Sequence, residues 1–193
     1  NDAWPYEDWT SSYGMGCVLH EDCSGEWGEV YCFETTEELQ TAVDLWISDS
    51  SSALSSYGEI NDWDVSLITD MSELFNDKTT FNDDISNWNV SSVTTMDTMF
   101  FNADSFNQDI SSWDVSKVEN MSSMFYGAQV FNQNIGSWDV SKVEDMAQMF
   151  IGAQAFNQNI GSWDVSKVTN MDHIFWRAFD FDSDCCLFER NTT

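Results

Sequence analysis

The sequence predicts an α/β repeat: a leucine-rich-repeat-like solenoid of five 25-residue coils, with a helical N-terminal cap and cysteine-containing ends. Three observations carry that expectation. First, columns recur every 25 residues without insertion, among them Trp63, Trp88, Trp113, Trp138 and Trp163, and Phe75, Phe100, Phe125, Phe150 and Phe175. A fixed period of roughly 20–29 residues marks stacked coils of leucine-rich-repeat type. Second, each period opens on a strand-like spacing and continues with a helix-like one. Third, a helix-start signal precedes the first period.

The elements follow in chain order. Residues 1–34 form an acidic, cysteine-containing leader. Residues 35–57 form the N-terminal cap: Thr35 or Thr36 with Glu38 opens a helix, and Leu39, Val43, Leu45, Trp46 and Ile47 give it an apolar side. Residues 58–175 form the five repeats. In the repeat from Ile110 to Asn134, Ile110, Trp113 and Val115 have L-x-x-L-x-L spacing. Trp113 and Val115 then face inward and Asp114 outward, because strand side chains alternate. Ser116 and Glu119, like Ser141 and Glu144, read as capping boxes. Val118, Met121, Met124 and Phe125 continue at helical spacing, and Gly127 and Gly152 read as helix stops. Residues 176–193 depart from the repeat and form a C-terminal cap. Neighbouring coils must bury one another's aromatic and methionine side chains, since one repeat cannot stand alone.

Composition excludes several functions. The chain has 193 residues, 34 acidic against 6 basic groups, and a formal charge of −28. Nucleic-acid binding requires a basic face that displaces counterions, so no nucleic-acid partner is expected. No apolar run approaches the ~20 residues of a membrane span, so no membrane insertion is expected. Ten Trp and fourteen Phe exclude a solvated acidic tail. No charged-then-apolar leader is present, which decides nothing about export because such leaders are cleaved.

The cysteines cluster at the ends: Cys17, Cys23 and Cys32, then Cys185 and Cys186. Their spacing fits neither a zinc knuckle nor a Cys/His site, and suits disulfide-clipped ends in an oxidising compartment. Asn89, Asn120 and Asn191 head glycosylation sequons. Together these features point to an extracellular or cell-surface protein.

Catalysis finds little purchase. The two histidines, His20 and His173, have no nucleophile motif beside them. The carboxylates are placed regularly, as on a solvated face. No catalytic residues and no cofactor are expected. The sharpest binding candidate is the outward ladder Asp64, Asn89, Asp114, Asp139 and Asp164. Carboxylates stacked at ~4.8 Å repel one another, and calcium is the ion that such hard oxygens would suit. The structural alternative has Lys117, Lys142 and Lys167, each three residues on, neutralising them, or backbone and Ser donors engaging them. A second ladder, Asn82, Asn107, Asn132 and Asn157, reads as structural, satisfying backbone groups between coils.

The stretch Phe106-Asn107-Gln108-Asp109-Ile110-Ser111-Ser112-Trp113-Asp114-Val115-Ser116, with Asn120-Met121-Ser122-Ser123-Met124-Phe125, resembles the BspA-like surface-protein repeat of leucine-rich-repeat type. That family occurs in bacterial and mycoplasma surface proteins and in secreted algal proteins. The resemblance covers residues 58–181. It implies surface exposure, adhesion or protein binding, and no common catalytic site. Asn89 departs from the pattern, where Asp is usual. The combined expectation is a non-enzymatic secreted or surface repeat protein with a structural or protein-interaction role. Its partners would be other proteins or copies of itself, as in a fibre or coat. The alternatives are an adhesin or receptor that binds a protein or glycan through the strand face, and a metal-dependent matrix stabiliser.

Overall fold

The computed structural model describes residues 31–182. Cys17, Cys23, Cys185, Cys186, His20 and Asn191 lie outside the described residues, as does most of the expected leader.

The N-terminal cap forms as two helices. α1 spans Thr36–Ser48 and α2 spans Ser50–Tyr57. Thr35 is the N-cap of α1, its hydroxyl accepting from the Glu38 N–H at 3.2 Å, while Glu38 accepts from the Glu34 N–H. Asp49 separates the helices, ending α1 and capping α2 through the Ser52 N–H and hydroxyl. Leu39, Ala42 and Val43 of α1 are buried, while Leu45, Trp46 and Ile47 are half-buried.

The cap works on the backbone of the first repeat. In later repeats, the carbonyls of Thr95 and Met99 accept from the N–H groups of Met71 and Phe75 in the preceding repeat. Asp70 and Leu74 hold the equivalent positions in the first repeat. Their carbonyls accept instead from Thr36 Oγ1 at 2.7 Å and Gln40 Nε2 at 3.2 Å. α1 therefore supplies by side chain the donors that a further repeat would supply by backbone. Lys78 paired with Asp44, and the Trp46 indole on Asp83, hold the helix in place.

The predicted α/β leucine-rich-repeat-like solenoid does not form. Among the described residues the backbone makes only isolated parallel bridges, running Asp70–Thr95–Asn120–Asp145–Asn170 with one more at Cys32–Asp64. α1 and α2 precede the repeats, and the α-helix expected at 116–125 is absent. The repeats are instead chains of tight turns, hydrogen-bonded to one another in a 25-residue register.

The physical reason lies in the backbone. Trp113 N–H closes a turn on the Ile110 carbonyl, and Val118 N–H closes the next on Val115, so no extended run exists to make a strand. Beyond the bridge, two residues per repeat take left-handed φ: Ser123 and Gly127 at 53° and 69°, and Gln148 and Gly152 at 61° and 67°. An α-helix needs right-handed φ throughout. The alternation turns every second N–H outward. Met121, Ser123, Phe125 and Gly127 donate to Asp145, Ala147, Met149 and Ile151 of the next repeat, at 2.7–2.9 Å. Met124, Tyr126 and Ala128 donate within their own turns. Gly127 and Gly152 are therefore left-handed turn residues, not helix stops. The expected capping boxes are absent too: Glu119 N–H donates to Thr94 of the preceding repeat, and Ser116 N–H to the Asp114 side chain.

The inward columns are as the spacing indicates. Trp113 is 4% exposed and Val115 1%, while Asp114 is exposed. Phe125 and Phe131 stack within a repeat at 4.0 Å between ring centres, and Phe125 stacks on Phe150 of the next at 5.7 Å. From Trp88 to Trp163 each buried indole N–H reaches the preceding repeat, as Trp138 does to the Ile110 carbonyl at 3.2 Å, while Trp63 donates to the Gly58 carbonyl. The repeat register continues past residue 175: Phe181 stacks on Phe156 at 6.0 Å, and Asp182 N–H donates to Asn157.

Candidate functional site

The outward ladder is built by turns. Asp64, Asn89, Asp114, Asp139 and Asp164 each accept, through Oδ1, the N–H two residues on, from Ser66, Ser91, Ser116, Ser141 and Ser166. These are Asx turns, in which a short carboxylate or amide substitutes for a backbone acceptor. The serine hydroxyl and N–H hold the carboxyls of Asp114, Asp139 and Asp164 below the usual carboxylate range. Lys117, Lys142 and Lys167 add a smaller attraction. The ladder thus runs along the stack, with each member engaged in its own turn. Among the described residues, no group of three or more His, Cys, Asp or Glu is gathered to hold a metal ion.

Two further columns repeat this device. Asp84, Asp109, Asn134 and Asn159 accept from the residue two on. So do Asp70, Asn120, Asp145 and Asn170 at the bridge positions. The ladder of Asn82, Asn107, Asn132 and Asn157 joins repeats: each side chain accepts the N–H of the residue 25 positions on, at 2.8–3.1 Å. Gln108, Gln133 and Gln158 donate back to the asparagine carbonyls of the preceding repeat.

The sequons differ in setting. Asn89 is exposed; Asn120 is half-buried in the bridge column. Cys32 is disulfide-bonded. His173 is exposed, with a left-handed φ of 59°. Sequence reasoning passed over Asp97, whose carboxyl is pushed up by burial, against a lowering hydrogen bond from Ser122. Its neighbours Glu73, Asp145 and Asp70 add to the upward shift. Only the packing of adjacent repeats brings these acids near one another.

A groove that sequence reasoning also missed lies on another face. It holds about 350 Å³ and is lined by Tyr126, Gly127, Gln129, Gly152, Gln154 and Trp176, among others. Trp176 is 51% exposed, and the adjoining Phe179 is 73% exposed. The two glycines, adjacent in one column, were the available signal. A side chain on Gly127 would collide with Asn102 Oδ1 at 2.4 Å.

A family model described as Mycoplasma protein of unknown function, DUF285, matches residues 48–150 and again residues 111–192. No curated protein and no solved structure matches the chain.

Proposed function

The chain belongs to the DUF285 family of mycoplasma proteins of unknown function, and we propose that it is a non-enzymatic secreted or cell-surface repeat protein. Its role is structural or protein-interacting, as a subunit of an extracellular fibre or coat. The BspA-like resemblance of its motifs accords with this reading. One observation carries the proposal: the regular polar side chains of the surface are committed to turns and inter-repeat bonds, column after column. That use of polar groups builds a rigid, extended face and leaves the ladder carboxylates engaged in holding backbone.

The disulfide at Cys32 supports an oxidising compartment. The exposed sequon at Asn89 supports the same location. α1 occupies the backbone acceptors at the N-terminal end of the stack. Copies would therefore meet through their side faces, where the 25-residue columns present the same groups repeatedly.

Two measurements test the reading. A membrane-impermeant amine reagent applied to intact cells should label the exposed Lys117, Lys142 and Lys167. Labelling only after lysis would remove the surface assignment. Electron microscopy of the native protein in calcium buffer should show filaments or sheets. Dispersed particles would refute the subunit role and favour the alternative of an adhesin or receptor with a separate ligand.

A further inference from the structure

We propose that the groove between the second and fifth repeats binds a neutral, linear oligosaccharide laid along the stack. The inference stands apart from the surface reading, since it concerns what the purified chain recognises.

The groove is made by three columns. The first runs Tyr126, Ile151, Trp176, and Phe101, outside the groove, stacks on Tyr126 at 4.5 Å with a 12° interplanar angle. Trp176 offers an exposed indole, and the Arg177 guanidinium sits 4.4 Å from its ring centre. The second column is Asn102, Gly127, Gly152, Arg177; the Asn102 side chain lies against Gly127, while Gly152 leaves open space beside it. The third is Asp104, Gln129, Gln154, Phe179. Its volume of about 350 Å³ falls within the roughly 300–1,000 Å³ of small-ligand sites.

Three features select the ligand class. First, the polar groups are free. The side-chain amides of Gln129 and Gln154 have no hydrogen-bond partner among the described residues, whereas those of Gln133 and Gln158 are bonded to the Asn ladder. An uncommitted amide offers both donor and acceptor, which suits hydroxyl groups. Second, aromatic rings lie beside these amides. A sugar ring presents an apolar C–H face and a hydroxyl rim, and so matches an aromatic surface edged by amides. Third, the site repeats by translation. Gln129 and Gln154, like Gly127 and Gly152, are one 25-residue period apart; the buried Phe columns of the same stack recur at 5.2–6.1 Å, and the Phe101–Tyr126 pair at 4.5 Å. Two amides one repeat apart, a spacing of about 5 Å, suit neighbouring units of a polymer with that repeat length. The charge of −28 disfavours sulfated or sialylated chains, and within the lining Asp104 stands against Arg177.

The test is a nuclear magnetic resonance titration of the full chain with neutral hexasaccharides of β-1,4-linked glucose, N-acetylglucosamine, mannose and xylose. A heparin hexasaccharide and an unstructured neutral peptide serve as competitors. At least one neutral saccharide should saturably shift the side-chain amide signals of Gln129 and Gln154. The double variant Q129A/Q154A should weaken that binding about tenfold or more, and F179A should weaken it too. Circular dichroism should show the same fold in both variants, since Gln129, Gln154 and Phe179 are all exposed. The proposal is overturned if no neutral saccharide shifts these signals at millimolar concentration. It is equally overturned if heparin or the peptide binds there instead, or if Q129A/Q154A binds like the parent chain. None of these outcomes bears on cell-surface labelling, so the two readings fail separately.

Discussion

Gly127 and Gly152 occupy the same place in successive repeats and share φ values of 69° and 67°. Their surroundings differ. A Cβ on Gly127 meets Asn102 Oδ1 at 2.4 Å, while one on Gly152 finds only the Gly127 backbone at 3.8 Å and beyond. Gly152→Ala therefore measures the left-handed backbone alone. That strain costs roughly 1–2 kcal/mol, offset by ~0.4–1 kcal/mol from restricting the unfolded chain, for a net loss of about 1 kcal/mol. Gly127→Ala carries the same term and also forces Asn102 to move, breaking its 2.9 Å bond to Asp77. The second term adds about 1 kcal/mol, for a total near 2 kcal/mol. Urea unfolding followed by ellipticity gives both values, provided the slope is unchanged. Asn102→Ala should cost about 1 kcal/mol in the parent chain but almost nothing in the Gly127→Ala background, where the bond to Asp77 is already lost, giving a coupling of about 1 kcal/mol in the double-mutant cycle. Equal losses at the two glycines, or zero coupling, would refute the close-approach reasoning.

Other perturbations follow from the same geometry. Thr98 is β-branched at a φ of 53°; Thr98→Asn, which tolerates that region, should raise stability by about 0.5–1 kcal/mol in urea unfolding. Trp138→Phe removes the indole bond to the Ile110 carbonyl and shrinks a ring that is 4% exposed; the expected loss is about 2 kcal/mol. Asn76 buries Oδ1 without a partner in a column continued by Phe101 and Tyr126; Asn76→Leu should raise the melting temperature, a gain of about 1 kcal/mol. The carboxyls of Asp114, Asp139 and Asp164 are held below their ordinary value, so their contribution is present above pH ~4 and lost as pH falls through the folded values. Replacing all three by Asn, the residue already at position 89, keeps the turn acceptor and should flatten that acid loss in pH-dependent unfolding. An unaltered acid limb would mean that other groups set it.

Much of the core is legible in the sequence. The Trp, Met, Phe and Ile columns recur with the repeat, and burial follows them from Ile60 to Trp163. The Asn ladder was legible as well, because a polar side chain repeated at a coil boundary has few other uses. The turn architecture was not. Val118, Met121, Met124 and Phe125 have helical spacing, yet a run of tight turns buries the same side chains. Asp114-Val115-Ser116 was open to reading as an Asx turn, and the alternation of Trp113 and Val115 made a strand look equally apt.

The sequence by itself determined which side chains face inward and the interval at which they return. Both are periodic properties, and a period survives whatever backbone carries it. It also determined the acidic surface and hence the partners that surface repels. Only the tertiary structure decided the path between the columns. Left-handed φ at Glu73, Thr98, Ser123 and Gln148 follows from no propensity of those residues. It follows from the neighbouring repeat, whose carbonyls accept the N–H groups that such a backbone turns outward. The groove depends on the same cause: Tyr126, Gln154 and Trp176 are distant in sequence, and the stacking of successive repeats brings them to one face.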